Sequence, residues 1–135
     1  MKRTALAALV GIGLIARIAW ADDHAMDFSD EVKKGEMRAG FTNKVMVKTQ
    51  NFTVGAVAVK DEIKAHKHND GAHVLYIVSG GGTMINGDKT IPLKPGMVVY
   101  VPVGVVHSVK AASSDLTFVD FAQPPFDPNK MEWIK

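Results

Sequence analysis

The chain has 135 residues, 47% of them hydrophobic and 22% charged, with a formal charge of +2 and no cysteine. That length predicts one domain with a modest core. The missing thiols exclude disulfides, thiolate zinc sites and cysteine nucleophiles, so a bound metal must use nitrogen or oxygen ligands.

At the N-terminus, Met1 to Arg3 is basic, Ala5 to Ala16 is an unbroken apolar or glycine run, and Ala19-Trp20-Ala21 puts small residues at alternate positions. This is the pattern of a secretory signal peptide over residues 1–21, and the run is shorter than the roughly 20 residues that span a bilayer. The expected localisation is periplasmic or secreted, with no membrane association once the signal is removed. Removal takes away Lys2, Arg3 and Arg17 and no acid, moving the formal charge from +2 to −1. The remaining lysines are scattered among acids, which argues against a nucleic-acid partner or a polybasic membrane patch. Cleavage after Ala21 would expose Asp22-Asp23-His24, whose amine, backbone amides and imidazole have a square-planar reach suited to copper(II) or nickel(II).

Residues 22–43 are polar and read as a peripheral segment, irregular or with one short helix N-capped by Ser29 and carrying Asp30 and Glu31 in its first turn. The barrel domain with its C-terminal tail is expected over 44–135. Short β-branched runs at 45–49, 52–59, 74–79, 83–85, 89–93, 97–101, 106–110 and 116–121 read as strands. Between them stand turn signals: Asp70-Gly71, Gly80-Gly81-Gly82, Asn86-Gly87, Pro95-Gly96 and Pro102-Val103-Gly104. Asn86-Gly87 suits a two-residue hairpin turn with positive φ angles. The three glycines are a turn and not a phosphate loop, because Thr83-Met84-Ile85 continues as strand. Several short strands without a long helix imply an antiparallel sandwich or barrel. Pro124, Pro125 and Pro128 stop the tail from continuing a central strand and lay it over the surface.

Three of the five histidines, His66, His68 and His73, lie close together. On a strand, residues i and i+2 point to one face with α-carbons roughly 6.6–6.8 Å apart. Two such imidazoles can reach one ion at about 2.0–2.2 Å. Asn69-Asp70-Gly71-Ala72 can reverse the chain and return His73 beside them. His107, after Pro102-Val103-Gly104, can supply a fourth ligand. Spacing alone leaves their convergence open.

The same residues resemble the motifs of the cupin superfamily, over roughly 44–121. The first family motif, His-x-His, three or four residues, Glu, six residues, Gly, is matched by His66-Lys67-His68, His73 and Gly80. The second, Gly, five residues, Pro-x-Gly, two residues, His, is matched by Gly96, Pro102-Val103-Gly104 and His107. The chain departs from the family where glutamate is replaced by His73, a glycine by Lys60 and an asparagine by Ala111. Only the first bears on chemistry, and histidine still ligates.

The resemblance implies an all-β, antiparallel jelly-roll barrel holding one divalent transition metal on His66, His68, His73 and His107. Manganese or iron is expected first, with nickel, copper or zinc as alternatives. Four neutral imidazoles leave the ion's charge uncancelled, so a small anionic or enolisable substrate is expected. Asp120 shares a strand face with Leu116 and Phe118 and is the candidate catalytic base, or the residue that orients a histidine; the alternative is a strand-end acid facing water. Leu75, Ile77 and Val109 would form the apolar wall. The leading expectation is a metal-dependent oxidoreductase of the dioxygenase type, followed by a lyase or isomerase of a sugar acid or similar compound, and then by a non-enzymatic binding module. The lyase ranks second because Phe126 stands where small cupins that process unsaturated uronates carry an arginine. A homodimer through outer strands, with Val74 and Tyr76 outward, is a family expectation. Metal should be lost as the pH falls below the histidine reference of about 6.5.

Overall fold

The computed structural model describes residues 25–135. The signal segment and the Asp22-Asp23-His24 motif lie outside the described residues. A short helix, α1 (Phe28–Glu31), opens the described chain, and Asp27 caps it by accepting from the amides of Ser29 and Asp30. Ser29, the expected cap, sits instead in the first turn, because the Asp27 carboxylate ahead of it reaches two of the helix's free amides.

Two antiparallel sheets follow. The first contains β1 (Glu36–Met37), β2 (Phe41–Lys48), β3 (Thr53–Val59), β10 (Leu116–Gln123), β5 (Ala72–Ser79) and β8 (Val98–Val101), in that spatial order. The second contains β11 (Met131–Trp133), β4 (Glu62–His68), β9 (His107–Ala111), β6 (Gly82–Asn86) and β7 (Lys89–Leu93). One apolar core lies between the sheets. Val57, Ile77, Val99 and Phe118 come from the first, and Ile63, Met84, Leu93 and Val109 from the second. This is the expected all-β jelly roll.

The β-branched runs form strands because alternate side chains of each can enter that shared core. β2 starts at Phe41, ahead of the expected run, since Phe41 packs against the core and Thr42 is buried. β4 is absent from the strand runs read from sequence, because Glu62, exposed Lys64 and Lys67 interrupt its apolar pattern. Pro92 is accommodated because β7 is an edge strand.

Register along β4 determines the site. Ile63 pairs with Val109 and His66 with His107, so the ladder shifts by one residue between them. Strict alternation would put residues 63 and 66 on opposite faces. The bulge puts Ile63, His66 and His68 all inside.

Two glycine turns lie nearby, one carrying the chain from the first sheet to the second and one closing the β6–β7 hairpin. Gly80 has φ +72° between β5 and β6, and a Cβ on Gly82 would strike the Lys110 carbonyl oxygen. The β6–β7 turn is displaced by one residue from the expected Asn86-Gly87. Asn86 pairs with Lys89, leaving Gly87-Asp88 as the loop, with positive φ at Gly87 only.

The proline-rich tail lies on the surface as expected and then adds an unexpected strand. β11 pairs antiparallel with β4, Trp133 opposite His66. Ile77 is fully buried between the sheets and Val98 is 66% exposed on an edge strand. Urea denaturation should therefore give a loss of about 2–5 kcal/mol for Ile77→Ala and less than about 0.5 kcal/mol for Val98→Ala.

Candidate metal centre

Three strands deliver the four histidines. β4 carries His66 and His68, β5 brings in His73 at its start, and β9 begins with His107. All four are buried. His66 and His107 are cross-strand partners with ring centroids 4.2 Å apart, and His68 stacks on His73 at 3.9 Å. Potential donor nitrogens of His66, His68 and His107 lie within 4.8 Å of one another. His73 joins the cluster through His68 and stands outside that tight donor group.

Hydrogen bonds fix the tautomers. His66 Nδ1–H donates to the Lys64 carbonyl at 2.7 Å and His107 Nδ1–H to the Val105 carbonyl at 2.9 Å. A carbonyl only accepts, so each neutral ring keeps its lone pair on Nε2. His73 Nδ1–H donates to both Asp120 carboxylate oxygens, at 2.9 and 3.0 Å, which likewise leaves Nε2 free. Of the two roles read from the Asp120 strand face, orientation of a histidine is thus the one with a contact.

Burial also disfavours the charged form of His66, His68 and His107. Desolvation pushes the His68 pKa down to about 2, aided by His73, His66 and His107. Desolvation and His66 lower His107 to about 4, against the opposing Val105 bond. His66 is lowered by desolvation, again against its backbone bond. Neutral, pre-oriented imidazoles with converging lone pairs fit a divalent transition ion. The donor chemistry matches the expected cofactor.

A cavity of about 470 Å³ opens on the cluster, within the range of small-molecule sites. Leu75, Val109 and Phe118 form part of its wall, as their strand positions predict, and Asp120 lines it too. Ile77 and Leu116 are sealed in the core instead. Sequence reasoning missed Arg38 on the turn before β2 and Trp133 in the tail, which line the cavity together with Phe126, the residue that stands at the expected arginine position. Phe126 meets His68 edge-on at 5.6 Å, and Trp133 lies 5.1 Å from His66. Their segments looked peripheral. One signal was available: Arg38 is the only arginine, and Trp133 the only tryptophan, beyond residue 21.

A two-sheet jelly roll with buried histidines converging beside a cavity defines a small β-barrel protein with a candidate metal site. The cupin domain family model matches residues 53–121, and the chain belongs to that family. It is 32% identical over 83 residues to the uncharacterized protein SCO3923 of Streptomyces coelicolor, a match that covers 58% of this chain and 76% of that one. Among solved structures, a Klebsiella pneumoniae protein with a double-stranded β-helix domain superposes with a TM-score of 0.70 at 18% identity, covering 83% of this chain and 97% of that one. Pac13 of Streptomyces, a nucleoside dehydratase, superposes with a TM-score of 0.65 at 18% identity, covering 77% and 88%. The fold therefore includes enzymes.

The pKa shifts set a pH dependence. Because these histidines stay neutral in the fold below their ordinary value of 6.5, the unfolded chain takes up protons first as the pH falls. Stability of metal-free protein should be complete above about pH 6.5 and should decline as the pH drops toward about 4, where folded His107 titrates. Urea denaturation at stepped pH checks this, with a shallower decline expected for His107→Gln. Burial also bears on the expected acid release of metal. Proton competition at His66, His68 and His107 sets in below the free-histidine value, so metal held by these three should be released at a pH below about 6.5 in metal titrations.

Proposed function

We propose that this chain is an exported cupin enzyme that holds one divalent ion, manganese or iron, and acts on a small anionic or enolisable organic substrate. His66, His68 and His107 would supply three nitrogens and His73 the fourth through its free Nε2. When bound, the ion offers positive charge to a developing oxyanion. Export rests on the basic, apolar and small-residue order of residues 1–21.

The observation that carries the choice of reaction is the position of Asp120. Its carboxylate is partly exposed and lines the same cavity as the histidines while gripping His73. A carboxylate there can take the proton from a carbon beside the substrate's carbonyl, and the C–H electron pair then passes into that carbonyl to give an enolate. His73 holds Asp120 in place for that transfer. Collapse of the enolate with loss of a β-substituent is a lyase reaction, and reprotonation elsewhere is an isomerisation. The nucleoside dehydratase Pac13, similar in fold, acts in the same broad reaction class. This moves the lyase or isomerase ahead of the dioxygenase.

The dioxygenase remains the second reading. Its support is the apolar wall of Leu75, Val109 and Phe118, which keeps water away from a nitrogen-ligated ion. A homodimer belongs to the same proposal, with Tyr76 of β5 and Tyr100 of edge strand β8 both exposed on the first sheet.

Manganese- or iron-loaded protein should catalyse exchange of substrate C–H for deuterium in heavy water, without dioxygen uptake, for at least one of a panel of hydroxy and keto acids. Dioxygen uptake would favour the dioxygenase, and neither signal would leave a binding module. Asp120→Asn keeps an oxygen for His73 and loses the proton acceptor, so turnover should fall about 10²–10⁴-fold with metal supplied in excess.

A further inference from the structure

Resting on the reading that the cavity takes an anionic organic substrate, we propose that Arg38 and Trp133 form its recognition subsite and that the substrate is a planar aromatic or conjugated carboxylate. The two side chains come from opposite ends of the described chain to one cavity. Among the described residues that line it, Arg38 is the one permanently cationic side chain, although lysines far outnumber arginines in the sequence.

Both residues are held by backbone that the barrel fixes. The Arg38 amide donates to the Phe41 carbonyl at 2.7 Å, closing the turn between β1 and β2. Gly40, with φ +81°, turns its carbonyl to the amides of Lys60 and Asp61 at 2.8 and 3.0 Å. Trp133 is placed by the pairing of β11 with β4, continued by the Ile134 amide donating to the Ala65 carbonyl at 2.9 Å.

Their chemistry is complementary. The Arg38 guanidinium has a loose partner, Glu36 at 3.5 Å, and both side chains are exposed, so that pair stabilises little in water. A substrate carboxylate can replace Glu36 and take the guanidinium fork with two parallel hydrogen bonds. Trp133 remains 47% exposed while lining the cavity, 5.1 Å from the His66 ring, with Phe126 edge-on to His68 and His73. A flat ligand lying on Trp133 would cover apolar surface that water now meets. The volume, about 470 Å³, suits a single substituted ring.

Calorimetric titration of the full chain, manganese-loaded and chelator-treated, with benzoate, benzamide and acetate tests the subsite. Benzoate should bind more tightly than acetate. Arg38→Gln should weaken benzoate about tenfold or more and leave benzamide unchanged, as loss of a charge-assisted bond predicts. Trp133→Leu should weaken benzoate and benzamide alike and leave acetate unchanged. Thermal melts confirm that each variant is folded, which the exposure of both side chains favours. Equal benzoate affinity in wild type and Arg38→Gln, or benzoate no tighter than acetate, would overturn the subsite. Manganese stoichiometry in the same samples keeps the two readings apart. A chain that binds no manganese yet shows the Arg38 and Trp133 pattern overturns the metal reading and supports this one.

Discussion

Between Ile63 and His66 the ladder joining β4 to β9 slips by one residue, and the interior of the protein is arranged around that slip. Without it, the strand could turn either Ile63 toward the core or His66 and His68 toward the cavity. With it, one strand does both, and His66 comes to face His107 across the sheet. Four imidazoles are then buried together, which is tolerable only if their charges and polar atoms are compensated, and burial itself disfavours charge on His66, His68 and His107. The Lys64 and Val105 carbonyls and the Asp120 carboxylate accept three of the Nδ1 protons. Each bond that makes burial acceptable also leaves Nε2 as the free lone pair. Folding requirements and ligand presentation thus coincide in the same contacts.

Much of this was legible from local pattern. β-branched runs bounded by glycine and proline marked most strands, and the alternation of Leu116, Phe118 and Asp120 correctly put the carboxylate on the inner face. The histidine spacings pointed to one cluster. What escaped depended on partners distant in sequence. β4 reads as a charged stretch until β9 and β11 flank it, and no local signal fixes the position of its bulge. β11 is three residues long and exists because β4 offers it an edge. Arg38 stands in a polar segment whose functional meaning comes only from the turn that returns it to the cavity. The misplaced cap at Ser29 and the displaced hairpin turn at Asn86 are smaller errors of one or two residues, where several polar or glycine neighbours offered similar local chemistry.

The cavity has two zones of different character. Its floor is an array of neutral nitrogen donors, linked through His73 to the Asp120 carboxylate. Its rim is cationic at Arg38 and aromatic at Phe126 and Trp133. Between them the wall is apolar, so polar interactions among the buried histidines operate where water is scarce and are strengthened accordingly, whereas Arg38 and Trp133 still meet water. Within the floor, the Asp120–His73 contact means that any change in charge on the carboxylate is felt at the imidazole it holds.

The attachment of β11 has a consequence for how such a site can diversify. Its strand makes only three residue pairs, all with β4, and it supplies Trp133 to the rim without contributing any of the four histidines. Arg38 likewise sits on a turn outside the strands that carry the ligand set. Drift in these two flanking segments can therefore rewrite what the cavity accepts while the histidine array is inherited unchanged. If Arg38 and Trp133 recognise the substrate as proposed, exchanging the tail between related barrels would move the aromatic half of that recognition and leave the cationic half in place.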